Sequence, residues 1–417
     1  MGNHIRKIYY RIVFRLASAL SVGSGENRYS DSDVARDSAG DPFIPGSSLA
    51  GLYRSLLPEK EAEVYFGTAK NQDKGQGSKL LVYDGKLSQV SGPAFYRSSI
   101  RDCVGLDQWK TGKSGNKFDF EIIEPGAEFV TYLEQNLEEG DTDIGLKVVQ
   151  AWGNHQIRVG RKTMRGLGAV TDITVCRRSF DFTHKEELEQ WVDFDMYLDK
   201  DWGGTQLENI GGPEANPGKA ILLEWTLRQK GGISIRRYTT NVSKEKTQPD
   251  AEQLTCVIGK DGEETPYIPG TSWAGTFRHH MERLAPGCTE RYFGSCEKRS
   301  SILFYESFIE GATPKVLTRN AVDRFTGGVI ENALFTEKTW YGGKTVLRIE
   351  IPPDTDLRFR QALAAALVDL HMGLVCVGGL TAVGRGIFQG ERLQIDQEPV
   401  DIEKNPYEEI LKRLERG

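Results

Sequence analysis

The sequence predicts an α+β fold made of two tandem ferredoxin-like domains. Three observations carry this: the chain repeats itself, each repeat opens on a strand of alternating character, and each repeat interleaves two helices with short strands. PFIPGSSLAGLYR, Pro42 to Arg54, recurs as PYIPGTSWAGTFR, Pro266 to Arg278, an offset of 224 residues (278 − 54). Tyr65-Phe66-Gly67 recurs as Tyr292-Phe293-Gly294, Val104 to Trp109 as Asn320 to Phe325, and Arg165-Gly166-Leu167-Gly168 as Val383-Gly384-Arg385-Gly386, at offsets of 227, 216 and 218. Preserved order at nearly constant spacing is the mark of a tandem duplication. The first domain is expected over 1–199, a linker dense in Gly, Asn and Pro over 200–218, and the second domain over 219–417, closing on a short amphipathic helix at Asn405 to Arg416.

Each element follows from local pattern. Ile8, Tyr10, Ile12, Phe14 and Leu16 alternate with Tyr9, Arg11, Val13 and Arg15, the period-two signature of a strand with one buried face, and Ile221, Leu223, Trp225 and Leu227 repeat it. After each Ile-Pro-Gly a helix is expected, with Leu49, Leu52, Tyr53 and Leu56 on one face and Ser47 or Ser48 as cap. Thr271 or Ser272 would cap the second copy. A second helix precedes each glycine loop, Ile144 to Trp152 and Phe359 to Met372, and an acidic helical segment runs from His184 to Asp199.

Composition bounds the function. A chain of 417 residues with 38% hydrophobic and 27% charged residues has ample length for two cores and is too apolar for bulk disorder. A net charge of −6 excludes a generically sticky polycation, so any nucleic-acid site must be a focused groove. Six scattered cysteines without a CxxC pair fit a reducing compartment, and the N-terminus lacks both the apolar run of a signal peptide and a myristoylation pattern, so the cytoplasm is the expected location. The weakly polar stretch from Gln361 to Gly384 is interrupted by Asp369, His371 and Gly378-Gly379, which reads as a buried helix and a glycine loop rather than a membrane span.

Spacing rejects several enzyme signatures. Gly343-Lys344-Thr345 ends like a phosphate loop, but Lys338 stands where that motif needs glycine, and Gly46 to Gly51 has one residue too many for a GxSxG elbow. His279, His280, Cys288 and Cys296 cluster in sequence, yet loose spacing and only two cysteines argue against structural zinc. The segment Gly160 to Val170 places Arg161, Lys162 and Arg165 among glycines that let backbone amides approach an anion; Gly378 to Gly390 keeps the glycines but only Arg385 of the charge. A tight turn entering a strand explains the same glycines. The loops before each Ile-Pro-Gly carry Asp31, Asp33, Asp37 and Asp41 in one copy and Asp250, Glu252 and Asp261 in the other. They are either solvated surface or a source of one carboxylate that orients a ribose hydroxyl or holds Mg²⁺ beside a phosphate.

The ordered set of IPGSSLAGLYR and IPGTSWAGTFR, the two YFG turns, VGLDQWKTG and NAVDRFTGG, and the RGLG and GRG loops resembles the RAMP superfamily of CRISPR-associated proteins over nearly the whole chain, twice. The likeness is to backbone subunits of type III, Csm/Cmr-like, interference complexes, in the tandem form of subtype III-D. It implies RRM-like domains on a guide RNA, with other effector subunits and target RNA as partners, and a β-hairpin thumb at Asp107 to Glu121 and at Asp323 to Phe335. It also implies an endoribonuclease in which one loop aspartate cleaves target RNA with a divalent metal, Mg²⁺. The family motif Asp-Ser-Pro-Val-x-x-Asp matches Asp31-Ser32-Asp33-Val34-Ala35-Arg36-Asp37, so Asp31 is the expected catalytic and metal-binding residue, Asp33 its competitor and Asp250 the less well matched counterpart. Where many members carry Lys in this helix, Ala50 and Ala274 stand here. Guide contacts would then fall to Ser47, Ser48, Arg54, Thr271, Ser272, Arg278 and Arg324, and to Arg161, Lys162, Arg165 and Arg385 of the glycine loops. The arginines Arg54 and Arg278 fit a solvated helix face equally well. A non-catalytic RNA-binding subunit is the alternative reading, and a guide-processing endoribonuclease ranks behind both because no His falls in the repeat motifs.

Overall fold

The computed structural model describes residues 5–25, 30–67, 77–106, 112–208, 210–211, 220–237, 249–260, 262–295 and 297–416. The first domain contains strands β1 (Arg6–Leu16), β2 (Leu80–Val82), β3 (Lys86–Leu87), β4 (Ser98–Leu106), β5 (Gly112–Ile123), β6 (Glu128–Leu137) and β7 (Val170–Asp181), and helices α1 (Gly46–Arg54), α2 (Glu59–Phe66), α3 (Ile144–Gly153) and α4 (Lys185–Asp193). The second contains β8 (Ile221–Gln229), β9 (Gly232–Ile233), β10 (Arg236–Arg237), β11 (Ala251–Gln253), β12 (Thr255–Val257), β13 (Glu264–Ile268), β14 (Leu303–Phe304), β15 (Ser307–Phe308), β16 (Thr313–Val322), β17 (Val329–Tyr341), β18 (Lys344–Ile351), β19 (Phe388–Ile395) and β20 (Glu398–Val400). Its helices are α5 (Gly270–Leu284), α6 (Leu357–His371) and α7 (Pro406–Arg416).

The two sheets have one topology. In the first domain the order is β2-β6-β1-β7, and in the second β14-β18-β8-β19-β20, with the first strand of each domain central and antiparallel to both neighbours. Taken as the four principal strands of each repeat, this is the second-third-first-fourth order of a ferredoxin-like sheet. The two helices of each repeat lie on one face. Phe14 and Trp152 pack there with Tyr53 in the first domain, and Trp225, Trp273, Phe277 and Phe359 in the second. Helix α7 closes the second core with Ile410 and Leu414. Each domain inserts a long hairpin before its third principal strand, β4–β5 and β16–β17. Residues 107–111, including Asp107 to Trp109 of the expected first thumb, lie outside the described residues, as do Cys296 and Asp261.

Three sequence expectations change. Strand β1 is buried on both faces, not one, because the segment after β7 folds back over the outer face. Trp202, Phe194 and Met196 cover Tyr9 and Val13 there, Trp191 donates to the Tyr9 hydroxyl at 3.0 Å, and Arg11 pairs with Asp199. The same segment moves the edge of the first domain, since Leu207 donates to the Val175 carbonyl at 2.8 Å and Ile210 packs against the first core. Residues 200–208 and 210–211 therefore belong to that domain's packing, and 209 and 212–218 lie outside the described residues. The third concerns the caps. Pro45 and Pro269 occupy the N-cap positions and no side chain caps either helix, so Ser47 and Ser48, like Thr271 and Ser272, sit inside the first turn.

Candidate nucleic-acid interface

The glycine loops are the same object twice. Lys162 and Leu380 take left-handed backbone at φ 57° and 54°, a single 3-10 turn follows, and Gly166 and Gly384 end it at positive φ. A Cβ on Gly168 would come within 2.0 Å of the Val159 carbonyl oxygen, and one on Gly386 within 1.9 Å of the Val377 oxygen. These glycines are required by the turn itself, whatever it binds.

What differs is the charge around the turn. In the first domain Lys162 lies 4.5 Å from the Phe120 ring and 5.6 Å from that of Phe118, and Arg165 5.7 Å from Phe118, so hairpin β4–β5 presents stacked rings beneath two cations. Burial, helped by Arg165 and Arg161, holds the Lys162 ammonium below its ordinary pKa. Arg161 reaches the Ser32 hydroxyl at 3.4 Å, which brings the acidic loop to the glycine loop. In the second domain Arg385 is removed from the candidate set: it is 9% exposed and ion-paired with Glu337, which Arg319 meets at 3.1 Å.

The two domains join at the first glycine loop. A cleft of about 580 Å³ opens between it and the start of α5, with Arg161, Lys162 and Arg165 on one side and Thr271, Arg278, Lys298 and Arg299 on the other. Among the described residues six cations and no carboxylate line it. Gly270 and Thr271, at the start of α5, line the same space, and a helix N-terminus set among cations is a favourable end for an anion. Sequence reasoning found five of these residues but could not see that they converge, because they come from different repeats. It missed Lys298 and Arg299, which the turn after Tyr292-Phe293-Gly294 delivers, with Arg299 donating to the Thr163 hydroxyl at 3.1 Å.

Around α1 the expectations are only partly met. Ser47 and Ser48 are exposed, but the Gly46 amide donates to Asp84 at 2.6 Å and Arg54 donates to the Gly67 carbonyl at 3.0 Å, so this helix end is engaged by its own domain. Ser272 is half-buried beside Thr271. Arg324 lies at the tip of hairpin β16–β17, stacked 4.9 Å from Phe325, whose side chain is 83% exposed.

The loop aspartates take equivalent places. The exposed Asp31 carboxylate accepts from the Asp119 amide at 3.0 Å, and the Asp119 carboxylate accepts from the Asp31 amide at 2.8 Å. Asp250 accepts from the Thr336 amide at 2.8 Å and its own amide donates to the Thr336 carbonyl at 2.7 Å. Each aspartate thus docks on the second strand of its domain's hairpin. Asp33 is different: it is buried and accepts from the Ser30 amide and hydroxyl at 2.9 and 2.8 Å, a turn-forming role. His280 pairs with Asp369 at 2.6 Å and Cys288 is buried; among the described residues no three His, Cys, Asp or Glu side chains come together as a metal site. No helix among them is long and apolar enough to cross a membrane.

A comparison with curated proteins finds no match. The family model of the RAMP superfamily matches residues 13–171 and again 251–389, well over half of the chain, with one match within each of the two domains. With the duplicated fold and the duplicated glycine loop already in view, the chain belongs to the RAMP superfamily, as a tandem member of it.

Proposed function

We propose that this protein is an RNA-binding subunit of a type III CRISPR ribonucleoprotein, of the tandem III-D kind, that holds guide RNA in the interdomain cleft and cleaves complementary target RNA at Asp31. Membership of the RAMP superfamily suggests the CRISPR-associated RNA-binding role. The observation that carries the binding mode is the convergence of six cations from both domains on one cleft. The sheet faces are poor alternatives: the first is covered by Trp202 and its neighbours, and the second carries the ion pairs Glu224–Arg348 and Arg228–Glu391–Lys344 where an RNA-reading sheet would present aromatic rings.

For cleavage, Asp31 is the group that would take the proton of a target 2′-hydroxyl as its oxygen bonds to the adjacent phosphorus. The 5′-oxygen then leaves and takes a proton from water, and a cyclic phosphate remains. Arg161, which reaches Ser32 beside Asp31, supports this reading as the cation that would offset charge growing on the phosphate oxygens. Asp31 and Asp119 place two carboxylates together, a hard oxygen set that fits Mg²⁺ when RNA phosphate and water complete the shell. Mg²⁺ bound there would supply charge stabilisation at the scissile phosphate. At Asp250 the facing residue is Thr336, one carboxylate fewer, which supports a weaker second site. A non-catalytic role is favoured by one observation, that both aspartates also act as straps between loop and hairpin.

The test is to map the cuts in one labelled target by Asp31→Ala and Asp250→Ala variants. Asp31→Ala should abolish at least one cut and leave guide binding intact. Persistence of every cut in that variant would contradict the assignment and favour the non-catalytic reading.

A further inference from the structure

The cleft exists only while the domains hold their relative position, and one side chain of the second domain stands at the junction. Glu306 follows β14, its side chain is 1% exposed, and both carboxylate oxygens reach groups of the first domain. One pairs with Arg101 of β4, itself 6% exposed. The other accepts from the Ala19 amide at 3.4 Å. Arg101 also donates to the Tyr267 hydroxyl at 2.9 Å. Burial opposes the Arg101 charge, but Glu306 and Tyr267 outweigh it and hold the guanidinium above its ordinary pKa.

Each contact leads to the interface. The Ala19 carbonyl accepts from the Gly168 amide at 2.9 Å, so a single residue, Ala19, links Glu306 to the glycine loop. Arg101 sits opposite Phe120 in the hairpin register, next to Asp119, which holds Asp31. One carboxylate therefore ties together the glycine loop, the aromatic platform and the strand that docks the acidic loop.

The first domain shows what the same position does otherwise. The Val82 carbonyl abuts Gly46 as the Phe304 carbonyl abuts Gly270, which makes Asp84 and Glu306 counterparts. Asp84, one methylene shorter, accepts from the Gly46 amide of its own helix. Glu306 is turned to the other domain instead.

We propose that Glu306 is a positioning residue for the first domain's site: through Arg101 and Ala19 it holds the glycine loop, hairpin β4–β5 and the acidic loop in register, so the first domain's site is completed by the second. Its bearing on RNA rests on the function proposed above; the clamp itself does not.

The test uses the full chain with Glu306→Asp, which shortens the side chain as in Asp84, and Glu306→Gln, which keeps its length and an acceptor for Arg101. Hydrogen exchange is read by peptide, and affinity is read with a fluorescein-labelled oligouridine. Glu306→Asp should speed exchange in 17–23, 98–106 and 160–168 by about tenfold while 221–229 and 344–351 stay unchanged, and should weaken oligouridine binding by a similar factor. Glu306→Gln keeps the acceptor for Arg101 but sets an NH2 against the Ala19 amide and leaves the buried guanidinium without its counter-charge, so it should speed exchange in the same three segments and weaken binding as well. Unchanged exchange in the three segments overturns the proposal, and so does faster exchange with unaltered affinity. If the wild-type chain binds no oligouridine, the RNA reading fails and the exchange result alone decides the clamp.

Discussion

Arg385 shows how far a single residue could be read. Its loop repeats that of Leu167, so a basic residue among glycines reads as a phosphate contact. In the first domain Leu167 packs with Phe120 in a small apolar cluster; in the second, Arg385 stands for Leu167 and Glu337 for Phe120, and the same contact is a buried ion pair. The sequence shows the substitution at 385 but not its partner, because Glu337 lies on the hairpin and pairs only through the fold. Arg385→Leu alone leaves Glu337 buried with only Arg319 and should cost roughly 2–4 kcal/mol in urea unfolding, whereas Arg385→Leu with Glu337→Phe should recover most of it. Equal loss in both variants would contradict the equivalence.

Lys162 offers a test of the cleft by pH. Burial and the neighbouring Arg165 and Arg161 lower its pKa, so the free protein gives up this proton more readily than an exposed lysine would. Phosphate binding favours the charged form, so RNA affinity should be greatest below that lowered pKa and fall as pH rises through it. Lys162→Arg should remove this part of the pH dependence, since guanidinium remains charged. An identical profile in the variant would place Lys162 outside the contact.

At the scale of elements, the repeats were legible because each rests on local signals. Alternation gave β1 and β8, and the Ile-Pro-Gly turns gave α1 and α5. The caps differ from the expectation because proline, with its fixed φ, already fills the N-cap position, which leaves Ser47, Ser48, Thr271 and Ser272 inside the first turn. The glycine loop is where backbone demand is sharpest. Gly168→Ala sets a Cβ against the Val159 carbonyl at φ 76° and should cost at least about 2 kcal/mol, from left-handed strain and overpacking together. Gly140→Ala, at φ 87° with no atom within 4 Å, should cost only the strain, about 1–2 kcal/mol. Equal costs would show that close approach plays no part in the loop.

Over the whole molecule, duplication was plain in the sequence but the interface was not. The second domain leaves the outer face of its sheet to charge pairs, while the first covers its own with the segment carrying Trp191, Phe194 and Trp202, whose residues read only as an acidic helix and linker. The cleft belongs to neither repeat alone. Its cations come from Arg161, Lys162 and Arg165 in one domain and Arg278, Lys298 and Arg299 in the other, more than a hundred residues apart, and the negative net charge of the chain conceals them. The most direct measurement is ultraviolet crosslinking of single-stranded RNA to the full chain, with the crosslinked peptides mapped by mass spectrometry. Crosslinks in 118–120, 160–165, 271–278 and 298–299 are the predicted result, whereas crosslinks confined to the outer sheet face at 222–228 and 344–348 would contradict an interdomain RNA site.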